Sequence, residues 1–174
     1  MRHTLRFIIS ALGQDDRLSI VTCSDGGNVD FPLTRMDEAG QRTAKSVVSE
    51  IEPQGSTNIE AGLTMGFDEL LRVGQTPQGL RRTATLLLLS TGEPCMGMTD
   101  AGDLVSLMQT QVTYLDRHHG CICSLNTFGL GRHNAALLSL LAKAGGGKYH
   151  DVGTGASEIT PAFVDCLSGL MRYR

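Results

Sequence analysis

Histidine and cysteine are the side chains in this sequence best suited to chemistry, and they crowd at one point. His118-His119-Gly120-Cys121-Ile122-Cys123 sets two imidazoles beside two thiols, and zinc takes nitrogen and sulfur donors of this kind. Two features oppose zinc. The histidines close a helical stretch, where the helix dipole favours cations in its own right. The Cys-x-Cys pair falls in a strand and is expected to divide between its two faces. Cys95 is a second candidate, a nucleophile if His133 or His150 reaches it in space as a base. Gly129-Leu130-Gly131-Arg132-His133-Asn134 follows a strand and precedes a helix, the place of a phosphate loop, yet it lacks the full glycine fingerprint and the P-loop lysine. Ser90-Thr91-Gly92 does not form a nucleophile elbow. Gly145-Gly146-Gly147 follows a helix and reads as its cap and turn. Met96 and Met98 flank Gly97 in a loop, either as an adaptable contact surface or tucked beneath it. None of these patterns completes a catalytic set, and a non-enzymatic chain is expected.

Bulk properties narrow the classes further. The chain has 174 residues, 41% hydrophobic and 19% charged, enough for one domain with a real core and unlike a disordered or fibrous chain. A formal net charge of -3 attracts neither nucleic acid nor an anionic membrane. No apolar run approaches the ~20 residues that span a bilayer, so membrane insertion is not expected. The start of the chain has no signal-peptide layout. Arg2 and Arg6 lie on an amphipathic stretch that fits an import presequence or a folded helix, and the folded helix is the preferred reading. The cysteines number 5, an odd count, and several sit in apolar contexts, as buried thiols do in a reducing compartment. An intracellular, cytoplasmic location follows as the expectation.

The elements alternate between helical and strand periods. Leu5, Ile8, Ile9 and Leu12 make a helical stripe closed by Gly13. Arg17 to Ser24 is nearly uniform in apolarity, as in a strand covered on both faces. Asp25-Gly26-Gly27-Asn28 has hairpin-turn chemistry, leading to a short strand, Val29 to Leu33, whose Pro32 suits a sheet edge. Ala44, Val47, Val48 and Ile51 stripe the next helix, which stops before Pro53. Ile59, Leu63, Phe67, Leu70 and Leu71 stripe another. Leu86 to Leu89 reads as a central parallel strand. A helix from Asp103 to about Arg117, a strand from Cys121 to Phe128, a helix through Leu137, Leu138 and Leu141, and a strand from Tyr149 to Val152 follow. Ile159 to Leu170 gives a C-terminal helix with Pro161 in its first turn. This order predicts one α/β domain over 1–174, a doubly wound and mostly parallel sheet with helices on both faces.

Five of these segments, taken in order, resemble the von Willebrand factor A domain family. They are RLSIVTCS at Arg17–Ser24, Gly55-Ser56-Thr57-Asn58-Ile59 with Gly62-Leu63, LLLLSTGEP at Leu86–Pro94, Thr127-Phe128-Gly129-Leu130-Gly131 with Leu137-Leu138, and Gly145-Gly146-Gly147-Lys148-Tyr149. The resemblance spans nearly the whole chain and is closer to the intracellular A domains than to the integrin insert domains. It implies a metal-ion-dependent adhesion site at the carboxyl ends of the strands, where open α/β sheets bind ligands. In the family, an Asp-x-Ser-x-Ser loop, a threonine and an aspartate supply oxygens to Mg²⁺, and a partner's carboxylate completes the shell. Here Thr57 fits the threonine position, but Thr91 stands where the aspartate belongs and no Asp-x-Ser-x-Ser occurs. The implied site is therefore degenerate: Ser56, Thr57, Asn58, Thr91 and Glu93 in the loops, Thr57 as the one metal ligand, and at most weak Mg²⁺ binding. The competing reading of Thr57 is a cap for the following helix. By the same resemblance the family's first strand would precede Met1 and lie between RLSIVTCS and the Leu86–Leu89 strand. That slot is expected to be closed by direct pairing of its neighbours, by a strand from another chain or a displaced segment, or by the rest of a longer protein. A protein partner within a larger assembly is the expectation, with a purely structural subunit as the alternative and a cysteine or metal hydrolase as the remote one.

Overall fold

The computed structural model describes residues 2–52, 55–74 and 80–153, with positions 161, 163, 164 and 166. Its elements are α1 (Arg2–Ala11), β1 (Arg17–Cys23), β2 (Gly27–Arg35), α2 (Glu38–Glu50), α3 (Ile59–Leu71), β3 (Arg82–Ser90), α4 (Ala101–His119), β4 (Cys121–Leu130), α5 (Ala135–Ala144) and β5 (Gly146–Gly153). Four helices start on a short polar side chain that accepts from the first turn: Asp37, Asn58, Asp100 and Asn134, each supplying an acceptor to otherwise orphaned N–H groups. α4 ends at Gly120, whose φ of 59° is left-handed, with Arg117, His118 and His119 in its last turn, where the dipole favours them. The C-terminal helix expected over Ile159–Leu170 lies largely outside the described residues. Pro161, Phe163, Val164 and Cys166 within it are helical.

The strands form two sheets rather than one. β1 and β2 pair antiparallel, while β3, β4 and β5 form a parallel sheet in that order. Three layers result. On one side Leu63 and Phe67 of α3, Leu104 and Met108 of α4, and Leu138 and Leu141 of α5 bury against Leu88 and Leu125. On the other side α1 straddles both sheets. Its Ile8 packs with Phe128, Val152 and Phe163, and the adjacent Ile9 packs with Phe31, Met36, Ala44 and Val48. The leucines of β3 alternate between the layers. Leu86 and Leu88 join the α3–α5 side, and Leu87 and Leu89 join the α1 side, as period-two geometry requires.

β1 and β3 do not pair with each other, so direct closure of the slot is not what the chain adopts. Helix α3 shows how they lie. A Cβ on its Gly62 would stand 2.9 Å from Cys23, near the end of β1, and one on Gly66 would stand 2.8 Å from Leu86. Further along, Glu69 reaches Ser19 and the Leu70 carbonyl accepts from Arg82. Both strands thus run against α3 and parallel to one another. Every residue of β1 beyond Arg17 is only half-buried, where complete cover was expected. β3 is an edge of its sheet, not a centre, and Leu86, Leu87 and Leu89 stay half-buried. The cause is the same in both: among the described residues each is paired on one side only.

β2 is the far edge, as Pro32 suggested. Leu18 faces Thr34 and Ile20 faces Phe31, so β2 carries one extra residue there, a bulge. Glu69 of α3 attends to it. This carboxylate is 2% exposed; it accepts from the Leu33 N–H at 2.6 Å and from the Ser19 hydroxyl at 3.4 Å, and pairs with Arg72 at 2.8 Å.

Candidate binding site

The carboxyl ends of β1 and β3 bring together the β1–β2 turn, the loop 55–58 and the loop 91–100. Asp25 in the turn accepts from the Ser56 hydroxyl, and its carbonyl accepts from the Asn58 amide at 3.1 Å. The Asn58 oxygen accepts from Ala61 N–H at 2.9 Å. One buried side chain therefore caps α3 and ties down the hairpin. The cap expected at Thr57 is this residue instead, because position 58 directly precedes the first helical turn.

Thr57 works through its backbone. Its N–H donates to Cys95 Sγ at 3.2 Å, and its carbonyl accepts from the N–H groups of Cys95 at 3.0 Å and Met96 at 3.3 Å. Glu60 accepts from the Met98 N–H at 2.7 Å. Gly97, with φ of 66°, sits so close to Asn58 that a Cβ would come within 2.5 Å of its oxygen. Loops 55–60 and 95–98 are thereby locked edge to edge. Thr91 is exposed, and its carbonyl accepts from Asn134 N–H at 2.7 Å, joining the third loop to the start of α5. Ser90 is buried and its hydroxyl accepts from Gly92 N–H at 3.0 Å, which fixes the Thr91 turn. Glu93 and Cys95 are exposed, and Met96 is 43% exposed.

The structure gathers Ser56, Thr57 and Asn58 in one loop beside the Cys95–Met98 loop, with Thr91 and Glu93 at the start of the latter. Asp25, Glu60 and the backbone role of Cys95 were not singled out from sequence. Asp25 had a signal, since a hairpin turn after β1 must lie at this end of the sheet. The pairing of Cys95 with Thr57 joins loops 38 residues apart, and no local pattern encodes it. Among the described residues no three His, Cys, Asp or Glu side chains are placed to hold a metal ion.

The other chemical candidates resolve into packing. Cys121 and Cys123 lie on the same buried face of β4, not on opposite faces, because residues two apart share a face. Burial, and then the neighbouring Cys121 thiolate, push the Cys123 thiol up to about 12. Burial against Gly62 also raises the Cys23 thiol. Tyr114 lies against His118 with ring centres 4.7 Å apart. The His133 ring fills the space over Gly129, so that glycine makes room for an imidazole, not a phosphate. Its Nδ1 contacts the Gly131 carbonyl at 2.7 Å and its Nε2 the Tyr149 hydroxyl at 2.5 Å. Burial and the Asp151 carboxylate raise the Tyr149 phenol. His150 contacts Cys166 at 3.2 Å and stacks on Phe128. Cys95 is engaged with the Thr57 backbone, apart from these histidine contacts.

An α/β domain with helices on both faces and its loops gathered at the carboxyl strand ends is a ligand-binding architecture. The chain belongs to the von Willebrand factor type A domain family, whose model matches residues 1–151. It is 35% identical over 72 residues to the probable E3 ubiquitin-protein ligase WAVH2 of Arabidopsis thaliana, covering 41% of this chain and 10% of that one. It is 32% identical over 74 residues to the inter-alpha-trypsin inhibitor heavy chain H1 of Sus scrofa, covering 42% and 8%. Both relatives are many times longer than the matched stretch. The conserved hypothetical protein BatB of Bacteroides thetaiotaomicron has the same fold, with a TM-score of 0.72 at 14% identity over 98% of this chain and 86% of that one. Among the described residues no helix is long and apolar enough to cross a membrane.

Proposed function

We propose that this domain is a non-enzymatic protein-binding or assembly module, contacting its partner through the loops at the carboxyl strand ends, with a degenerate metal-ion-dependent adhesion site. The observation that carries this reading is the locked loop pair. The Cys95–Thr57 and Asp25–Ser56–Asn58 bonds hold a preorganised surface from which Met96 projects, and preorganised, adaptable side chains suit protein recognition. The donor chemistry fits Mg²⁺ poorly. Thr57, Thr91 and Ser56 offer neutral hydroxyls, whereas a hard divalent ion is held chiefly by carboxylates. The Asp25 carboxylate in these loops is engaged by Ser56, and that of Glu60 by the Met98 N–H. Cys95 at this surface is engaged by the Thr57 backbone, in keeping with a non-enzymatic role, and free cysteines buried in the core support an intracellular home.

The split sheet favours a second reading, a structural subunit whose contacts are made by strand edges while the loops stay idle. Titration with Mg²⁺ or Mn²⁺ tests the first. An ion present at 100 times its Kd stabilises by about 2.7 kcal/mol, several degrees of melting temperature for a domain this size. The expected result is no such shift in millimolar Mg²⁺. A rise in melting temperature that Thr57→Ala abolishes would overturn the degenerate site.

A further inference from the structure

We propose that Cys166 and His150 form a thiol–imidazole couple on the α1 side of the parallel sheet, which makes Cys166 a site of reversible modification by small disulfides. This goes beyond the loop surface and does not rest on it. The modification is stoichiometric, so it asks for no turnover.

The fold brings the two side chains together through three aromatic contacts and one helical turn. Phe128 and His150 are register partners across β4 and β5. Their rings stack with centres 4.9 Å apart and planes 12° apart, which fixes the plane of the imidazole. Phe163 stacks on Phe128 in turn, with centres 4.1 Å apart. Residues three apart in a helix share a face, so the turn that seats Phe163 on Phe128 also carries Cys166 to the sheet. There its Sγ lies 3.2 Å from His150 Nε2. Both residues are half-buried, so the couple is held by packing and still meets solvent. The surrounding layer is apolar: α1 contributes Leu5, Ile8 and Leu12, and β3 contributes Leu87 and Leu89. On β5 the exposed Lys148 shares the face of His150, whereas Asp151 lies on the other face, 3.9 Å from His133.

A thiol is a weak nucleophile and its thiolate a strong one, and an adjacent imidazole favours the thiolate by taking the proton. The step balances as an exchange. The Cys166 proton passes to His150 Nε2, and the thiolate attacks one sulfur of the disulfide. A new S–S bond forms as the old one breaks, and the departing thiolate leaves with the electron pair and takes up the proton. A free thiol reverses the exchange by the same route. The other cysteines lack this arrangement. Cys121 and Cys123 are buried in the core, and Cys23 packs against Gly62 with its thiol raised by burial. Cys95 is exposed, but its sulfur meets the Thr57 N–H at 3.2 Å and the Thr57 carbonyl at 3.8 Å, and neither backbone group can take its proton. Exposure alone therefore ranks Cys95 first, and the presence of a base ranks Cys166 first.

The test treats the whole chain with dithiodipyridine, quenches at intervals, and assigns the thiopyridyl adduct to each cysteine by peptide mass mapping. An exposed thiol with a pKa of ~8.5 holds roughly 75-fold less thiolate at pH 6 than at pH 8, and its rate falls in step. The rate at Cys166 is expected to fall by less than about tenfold over that interval, and at pH 6 Cys166 reacts ahead of Cys95. His150→Gln removes the base, and His150→Phe removes it while keeping a ring to stack on Phe128. Both restore the steep fall at Cys166. Cys121 and Cys123 report the fold within the same map, since they stay unmodified while the core is closed. Where a variant opens the core, the pH profile of the unaltered chain decides. Three results overturn the proposal: Cys95 modified ahead of Cys166 at pH 6, a fall at Cys166 as steep as that of an ordinary thiol, or an unchanged Cys166 rate in His150→Phe with the core thiols still protected.

Discussion

The buried carboxylate of Glu69 offers a sharp test of how the hairpin is held to α3. Two changes separate its roles. Glu69→Ala removes the acceptor of the Leu33 N–H at the β2 bulge and leaves that donor enclosed. A hydrogen bond to a charged group contributes about 1.5–3 kcal/mol, and a buried donor without a partner costs on the order of 1–3 kcal/mol. The pair with Arg72 adds little, because that guanidinium is 71% exposed and such pairs are worth ~0–1 kcal/mol. Glu69→Ala is therefore expected to destabilise by about 3 kcal/mol. Glu69→Gln keeps an oxygen for the Leu33 N–H and should cost about 1 kcal/mol, chiefly the lost charge assistance. Urea unfolding reads both. With a slope near 2 kcal/mol per molar, alanine lowers the midpoint by roughly 1.5 M and glutamine by a third of that. Arg72→Ala serves as the control and should move it least. If alanine and glutamine are equally destabilising, or if Arg72→Ala matches them, the bond to the bulge is not what anchors the hairpin.

Other outcomes follow from residues already placed. Folding raises the Cys123 thiol from its ordinary 9.0 to about 12. The stability it contributes is thus complete below pH 9 and declines as pH climbs toward 12. Denaturant midpoints should fall over that window, and less steeply in Cys123→Ala. Asn58→Ala should cost about 1–2 kcal/mol by calorimetry through loss of the α3 cap and the tie to Asp25, whereas Thr57→Ala should stay within ~0.5 kcal/mol. Gly147→Ala places a methyl against the Leu125 carbonyl and should cost on the order of 1–3 kcal/mol, seen as faster amide exchange along β4–β5.

The periodic elements were legible because their causes are local. The stripes of α1, α2, α3 and α5, the hairpin turn at Asp25–Gly27 and the edge position of Pro32 each follow from neighbours in sequence. What sequence misassigned depends on what lies across space. β1 and β3 read as fully covered strands because their side chains are apolar on both faces, yet cover requires a neighbour on each edge as well. Asn58 displaced Thr57 as the cap by one position, a margin that pattern does not resolve. The opposed placement of Cys121 and Cys123 was a mistake of period, since alternate residues of a strand share a face. At the candidate site, the family motifs located the loops, while the Cys95–Thr57 lock and the part played by Asp25 needed the fold.

The division into two sheets also bears on how the domain opens. The β1–β2 hairpin with α2 and the β3–β4–β5 sheet with α4 and α5 each close on themselves through contacts near in sequence, and α1 and α3 act as rivets between them. Such a molecule has two natural subglobal units. Loosening either rivet is expected to release one half before the other melts, so amide exchange in the two units should separate when α1 or α3 is weakened.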